Sequence, residues 1–242
     1  MLKRLNTILK RKSRARKLGF RFTRAAGFIL PSEIKVGITS IRLVLPEDNG
    51  TRTAFIDLLL DDCYLLQDFP DDINTVADIG SHVGLFSIAA RNRWPHAVIH
   101  AYEPNQALRG ECKHHAEQAD FSAYSEAVGG KSGSVNLISN GDTVQVRVVE
   151  TNDGVIKQVA FKEVLSRLGG RVDLVKLDCE GGEWAILHDV ESWKNVRFLT
   201  MEFHLWAGYT LDELTRHIYD LGFKITHLEV TGPDFGILAA RR

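Results

Sequence analysis

From Thr75 onward, apolar runs of strand length alternate with segments of helix length, and this alternation constrains the fold more than any other feature of the chain. Strands are expected at 75–79, 97–102, 121–128, 172–177 and 197–203, with helices at 84–93, 105–117, 161–168, after Gly182 and at 211–221. Parallel strands cannot be joined by a tight turn and need a crossover, so strands and helices in this order call for a parallel sheet covered on both faces. The last two strands, 224–230 and 235–239, are separated only by Thr231-Gly232-Pro233-Asp234 and should pair antiparallel. The expected class is α/β: a Rossmann-like sheet, mostly parallel, with a C-terminal antiparallel hairpin and helices on both faces. Residues 134–138 and 144–149 have the look of a strand pair inserted into this pattern.

The rest of the chain divides by charge and pattern. Ten Lys or Arg residues lie between Lys3 and Arg24, and no acid occurs before Glu33. Residues 1–32 are therefore expected to form a basic tail, weakly amphipathic through Leu2, Leu5, Ile8 and Leu9. Residues 33–70 form a lead-in of two short strands around Gly37 and a helix at 53–66, and residues 71–242 form the Rossmann-like domain. Without the ten tail cations the body has 20 basic residues against 31 acidic ones, a net charge of −11. Such a body repels phosphates, which argues against nucleic acid as a partner, whereas the tail suits an anionic membrane surface. Cys63, Cys112 and Cys179 are scattered, without the spacing of a zinc site or the pairing of a disulfide framework, which fits a cytoplasmic protein that touches membranes only peripherally. Nothing in the sequence sets the oligomeric state.

Two motifs point to a nucleoside cofactor. In Asp78-Ile79-Gly80-Ser81-His82-Val83-Gly84 a strand runs into a glycine turn that opens a helix, where open α/β sheets bind ligands. Glu103 closes the next strand 19 positions after Gly84, where a carboxylate can accept from both hydroxyls of a ribose. A nicotinamide cofactor fits less well. The GxGxxG spacing that seats a pyrophosphate is absent, and no Tyr is followed four positions on by Lys. A third motif, Lys176-Leu177-Asp178-Cys179-Glu180-Gly181-Gly182-Glu183, places charges at the end of a probable central strand, and Glu202 and His204 share a side of the next one. Trp206 and Tyr209 follow closely, as candidates for a pocket wall or for core.

These residues resemble the FkbM-type methyltransferases from about Thr75 to His204, through Asp78-Ile-Gly-Ser-His-Val-Gly84, Tyr102-Glu-Pro-Asn105, Ser125-Glu-Ala-Val-Gly129 and the Lys-x-Asp-x-Glu-Gly-x-Glu string. The resemblance implies a class I methyltransferase sheet, S-adenosyl-L-methionine as cofactor, and a hydroxyl acceptor on a sugar, polyketide or other small molecule. It implies that Asp78, Gly80, Ser81, His82 and Gly84 line the methionine and ribose side, that Glu103 and Asn105 hold the ribose, and that Glu126 and Ala127 lie near the adenine. His82 departs from the family, which usually has Asn there.

In the mechanism this implies, the sulfonium is already activated, so the protein aligns the acceptor oxygen and removes its proton. His204, ordinarily titrating near neutrality, is the expected base, with Asp178 and Glu180 orienting the acceptor. No ligand spacing demands a metal. Two other readings stay open: a non-catalytic nucleoside-binding module docked to an anionic surface by its tail, and an NAD(P)-dependent oxidoreductase.

Overall fold

The computed structural model describes residues 2–24, 27–139, 146–150, 153–206 and 208–242. Helix α1 (Leu2–Lys17) is followed by the hairpin β1 (Glu33–Val36) and β2 (Thr39–Arg42), and then by α2 (Asn49–Phe55). The side chain of Asp48 caps α2 by accepting from Thr51 N at 2.6 Å, and α2 continues into a π-helical turn, Ile56–Asp61. The helix expected at 53–66 therefore begins earlier and ends sooner. Asp62 stops it with a left-handed backbone and accepts from Leu66 N at 2.8 Å.

The basic segment is a correction to the sequence reading, because it is built into the core and is no tail. Arg11 Nε donates to Asp61 at 2.7 Å, and Arg14 donates to the carbonyl of Leu60 at 3.0 Å, so α1 is strapped to the π-helical turn. Ala15, Leu18, Phe22 and Phe28 are buried, and Phe28 packs against Phe22 and Phe55. Apolar residues dispersed among many cations conceal this face from a count of charges.

The main sheet is built from β3 (Thr75–Ile79), β4 (Val98–Tyr102), β5 (Ser122–Tyr124), β10 (Val172–Leu177), β11 (Val196–His204), β12 (Lys224–Val230) and β13 (Phe235–Arg241), and the four strands between β5 and β10 stand apart in a second sheet. Its order is β12-β13-β11-β10-β3-β4-β5. The run from β5 to β11 is parallel, and β13 is antiparallel to both β11 and β12, as expected. Alternate residues serve opposite layers. Val76 and Leu174 pack with α3 (Leu85–Arg93), α4 (Arg109–Ala119) and the N-terminal elements, while Ala77 and Val175 pack with Phe161, Trp193 and Ile218. The second layer contains α5 (Phe161–Arg167), α6 (Glu183–Leu187), α7 (Val190–Trp193) and α8 (Leu211–Asp220).

The single strand expected at 121–128 is broken in two. After β5 the chain leaves the main sheet, and β6 (Ala127–Gly129) joins β7 (Gly133–Ser139), β8 (Val146–Glu150) and β9 (Ile156–Ala160) in a separate sheet of order β6-β9-β7-β8. Strands β7 and β8 are the inserted antiparallel pair, and residues 140–145, including part of the second expected strand, lie outside the described residues. Among the described residues no helix is long and apolar enough to cross a membrane.

Candidate active site

The turn after β3 is held against its neighbours by backbone geometry. Gly80 N and Ser81 N both donate to the carbonyl of Tyr102 at 3.0 Å. Gly80 has φ +78, and a Cβ there would fall 1.7 Å from the carbonyl oxygen of Asp178, so only glycine permits this approach of the turn to the end of β10. His82 has φ +51, in the left-handed region that Asn and His enter more readily than most residues. That shared tolerance is a physical reason for His to replace Asn at this position. His82 N and Asn105 N each donate to Glu103 at 2.8 Å, one to each carboxylate oxygen. Burial raises Glu103 to about 7 against the pull of these two donors.

Beneath the turn lies a buried charge cluster. Lys176 Nζ donates to the carbonyl of Gly80 at 2.5 Å and stands 3.3 Å from Asp78 and 3.5 Å from Asp178. Burial lowers the affinity of this amine for its proton, but Asp78 and Asp178 outweigh burial and hold the ammonium well above its ordinary value. Asp78 also accepts from Ser87 Oγ at 2.7 Å, and burial raises its carboxyl despite both partners. Asp178 accepts from Tyr64 Oη at 2.8 Å, a contact across 114 residues of sequence.

The loop after β10 is organised by fully buried Glu183, which accepts from Cys179 N at 2.6 Å and Gly181 N at 3.0 Å. Its carboxylate also meets His204 Nδ1 at 3.1 Å, while Nε2 of that ring lies 3.8 Å from Glu180. The structure thus brings together Asp178, Glu180 and His204, whose ligand-capable atoms all lie within 4.8 Å of one another. Burial disfavours the charged imidazole. Glu183, followed by Asp178 and Glu180, overrides burial and raises His204 to about 9.

These elements surround a cavity of about 880 Å³ at the carboxyl ends of the strands, within the usual range for a small-molecule site. Gly80, Ser81, His82 and Glu103 line one part, and Glu126, Ala127 and Val128 extend it. Asp178, Cys179, Glu180 and Glu202 line another, covered by α2, the π-helical turn, Tyr64 and the β12–β13 hairpin.

A family model described as the methyltransferase FkbM domain matches residues 78–225, more than half of the chain. The chain belongs to the FkbM methyltransferase family. Methyltransferase 1 of Beauveria bassiana (strain ARSEF 2860) is 26% identical over 176 residues, covering 60% of this chain and 70% of that protein. Methyltransferase sdnD of Sordaria araneosa is 27% identical over 229 residues, covering 77% and 88%. Among solved structures, fibrillarin of Aeropyrum pernix with natively bound S-adenosyl-L-methionine aligns with a TM-score of 0.48 and 11% identity, over 74% of this chain and 73% of that one.

Within this FkbM domain, four sequence-derived assignments need correction. Asp78 is wholly buried under the turn, between Lys176 and Ser87, and lines no part of the cavity. Gly84 caps α3, where a Cβ would meet the ring of Phe121 at 2.7 Å, and Asn105 spends its side chain on Ala107 N. Both support the turn from outside the cavity. His204 is the fourth. Its ring is 3% exposed, bonded to Glu183 and 4.2 Å from the ring of Trp206, and it lines no part of the cavity. Trp206 and Tyr209 do not wall the cavity either, since Tyr209 stacks on Trp184 at 3.6 Å. Glu126 does line it, with its carboxylate tied to Lys157 at 2.8 Å and to Arg167 at 2.5 Å.

The charge of His204 has a measurable consequence. Its folded value lies above the ordinary 6.5, so its contribution to stability is complete below about pH 6.5 and disappears as pH rises through about 9. The amount is on the order of 3 kcal/mol. The melting temperature of the wild type should fall more steeply over this window than that of His204→Gln. Parallel curves would show that the imidazolium does not stabilise the fold.

Proposed function

We propose that this chain is an S-adenosylmethionine-dependent O-methyltransferase acting on a hydroxyl of a sugar, polyketide or other small molecule. The observation that carries the reading is the shared cavity: Glu103 and the Gly80–His82 turn open onto the same space as Asp178, Glu180 and Glu202. The donor set suits the cofactor. Glu103 keeps a lone pair on each oxygen for a ribose diol, and Tyr102, Ala127 and Val128 give an apolar seat for a purine. When bound, S-adenosylmethionine supplies a methyl group on an activated sulfonium.

The protein's own part is alignment and proton removal. Asp178 is fixed by Tyr64 and Lys176 at the cavity wall and takes the role of base left by His204, while Glu180 orients the acceptor. Calorimetry with S-adenosylmethionine tests the first step. The wild type should bind it and bind neither NAD nor NADP, and Glu103→Ala should weaken binding by about 1–3 kcal/mol, the value of hydrogen bonds to a charged acceptor. Nicotinamide binding without S-adenosylmethionine binding would overturn the reading, and labelled methyl transfer to a panel of sugars and lipids would identify the acceptor.

A peripheral contact with anionic membrane belongs to the same proposal. The outer face of α1 exposes Leu5 and Leu9 beside Lys12 and Arg16, an apolar strip flanked by cations that suits a lipid interface. Sedimentation with phosphatidylserine vesicles, lost in raised salt and in Leu5→Ser/Leu9→Ser, is the expected result. Equal sedimentation with neutral vesicles would contradict it.

A further inference from the structure

Asp178, Glu180 and His204 converge at the ends of two neighbouring parallel strands, β10 and β11, although no spacing in the sequence joins them. Asp178 and Glu180 line the cavity wall, and the buried ring of His204 adjoins them. Their ligand-capable atoms, one from each residue, all lie within 4.8 Å of one another. Nδ1 of the ring is engaged by Glu183 at 3.1 Å. Nε2 makes no hydrogen bond among the described residues, and the oxygen of Glu180 that it faces is 3.8 Å away, beyond hydrogen-bond reach. Ligand atoms about 2.1 Å from a shared ion are at most about 4.2 Å apart, so a closure of at most about 0.6 Å would seat one ion among all three. Buried Glu183 organises the group. It accepts from the amides of Cys179 and Gly181, which flank Glu180, and it holds His204 at the same time. Between those two amides Glu180 has φ +53, a left-handed backbone uncommon for a residue with a side chain. A carboxylate that fixes an imidazole through Nδ1 and leaves Nε2 to an ion is the usual outer support of a metal-bound histidine. Asp178 is fixed in parallel, because Tyr64 and Lys176 both engage its Oδ2 and leave Oδ1 uncommitted among the described residues.

We propose that Asp178, Glu180 and His204 bind a divalent cation of the Mn²⁺ kind, with Glu183 as its outer support. Carboxylates suit Mg²⁺ and Mn²⁺ alike, and the single imidazole nitrogen turns the choice toward the transition ion. Three protein ligands leave further positions open to the cavity. The site stands on its own geometry; its use rests on the methyltransferase reading, in which a hydroxyl of the acceptor completes the coordination from the cavity side. An ionised carboxylate offers about four acceptor positions, so Asp178 can serve Tyr64, Lys176 and the ion and keep one for the acceptor's proton. The ion takes the place of the proton on Nε2, so the pH dependence of stability described above belongs to the metal-free protein.

The test is Mn²⁺ binding to the full chain after treatment with EDTA and dialysis, followed by electron paramagnetic resonance. One ion should bind per chain with a dissociation constant below about 100 μM and at least about tenfold more tightly than Mg²⁺, and pulsed spectra should show coupling to an imidazole nitrogen. Glu183→Gln, which leaves the three ligands in place, should weaken binding by about 10–100-fold, and Glu180→Gln and His204→Gln, which each remove a ligand, should cost at least as much. The nitrogen coupling should vanish in His204→Gln. Glu229→Gln, which changes another carboxylate of the cavity wall, should leave the affinity within about threefold of wild type. A cooperative thermal melt shows that each variant is folded, and Glu180→Gln decides the matter if His204→Gln does not fold. Binding weaker than about 100 μM, a bound ion without nitrogen coupling, or wild-type affinity in folded Glu180→Gln would each overturn the proposal. Mn²⁺ binding with the expected coupling in a chain that fails to bind S-adenosylhomocysteine would uphold the ion site and count against the methyltransferase reading instead.

Discussion

Replacing Lys176 by Met should lower the free energy of unfolding by about 3–5 kcal/mol, the usual cost of removing one partner from a buried ion pair. The size of the effect comes from what is left behind. Asp78 has no exposure, and its remaining partner is the hydroxyl of Ser87, so without the ammonium its charge is stranded in the core. The carbonyl of Gly80 loses its donor in the same step. Urea denaturation of the two proteins gives the difference, and Asp78→Asn added to Lys176→Met should recover part of it, because the stranded charge is then gone. A loss below about 1 kcal/mol would mean that the cluster is not held together by its lysine.

Asp178→Asn should slow methyl transfer by about 100-fold or more while S-adenosylmethionine affinity stays within a few-fold of wild type. The amide can still accept from Tyr64 but cannot take a proton from the acceptor. Tyr64→Phe removes only the bond that fixes the carboxylate, so its effect on turnover should be smaller. Single-turnover rates on an identified acceptor decide the matter, and a rate within about threefold of wild type in Asp178→Asn would remove Asp178 as the base.

Much of this molecule can be read in its sequence because local rules agree with the global fold. The strands β3, β4, β10 and β11 stand where apolar runs place them, and the short turn before Phe235 gives the antiparallel hairpin. The break between β5 and β6 falls at the adjacent polar pair Ser125-Glu126, and that this pair ends one strand is decided only by the second sheet capturing Ala127. The cavity was legible by class of residue but not by depth. Asp78 lies near the end of one apolar strand and Glu103 just past the end of another, and only the tertiary packing of Lys176 and Ser87 decides that the first is sealed in while the second faces the cavity. His204 and Glu202 were correctly placed on one side of β11, yet buried Glu183 captures the imidazole and leaves the carboxylate at the wall. Tyr64 carries no local signal, since its role depends on a hydrogen bond to Asp178, 114 residues away, that no pattern of spacing encodes.

The FkbM match spans residues 78–225, but the cover of the cavity comes from outside it: Asp57 and Tyr64 precede it, and His227, Glu229 and Phe235 follow it. The two flanks meet over one opening although more than 160 residues separate them in the chain. Selection can therefore rewrite the lid from either end, provided that Tyr64, which ties the N-terminal flank to Asp178 of the lysine cluster, is kept. Exchanging these flanks between relatives, with Tyr64 retained, would be a direct way to retune what enters the chamber while leaving the glycine turn and the lysine cluster in place.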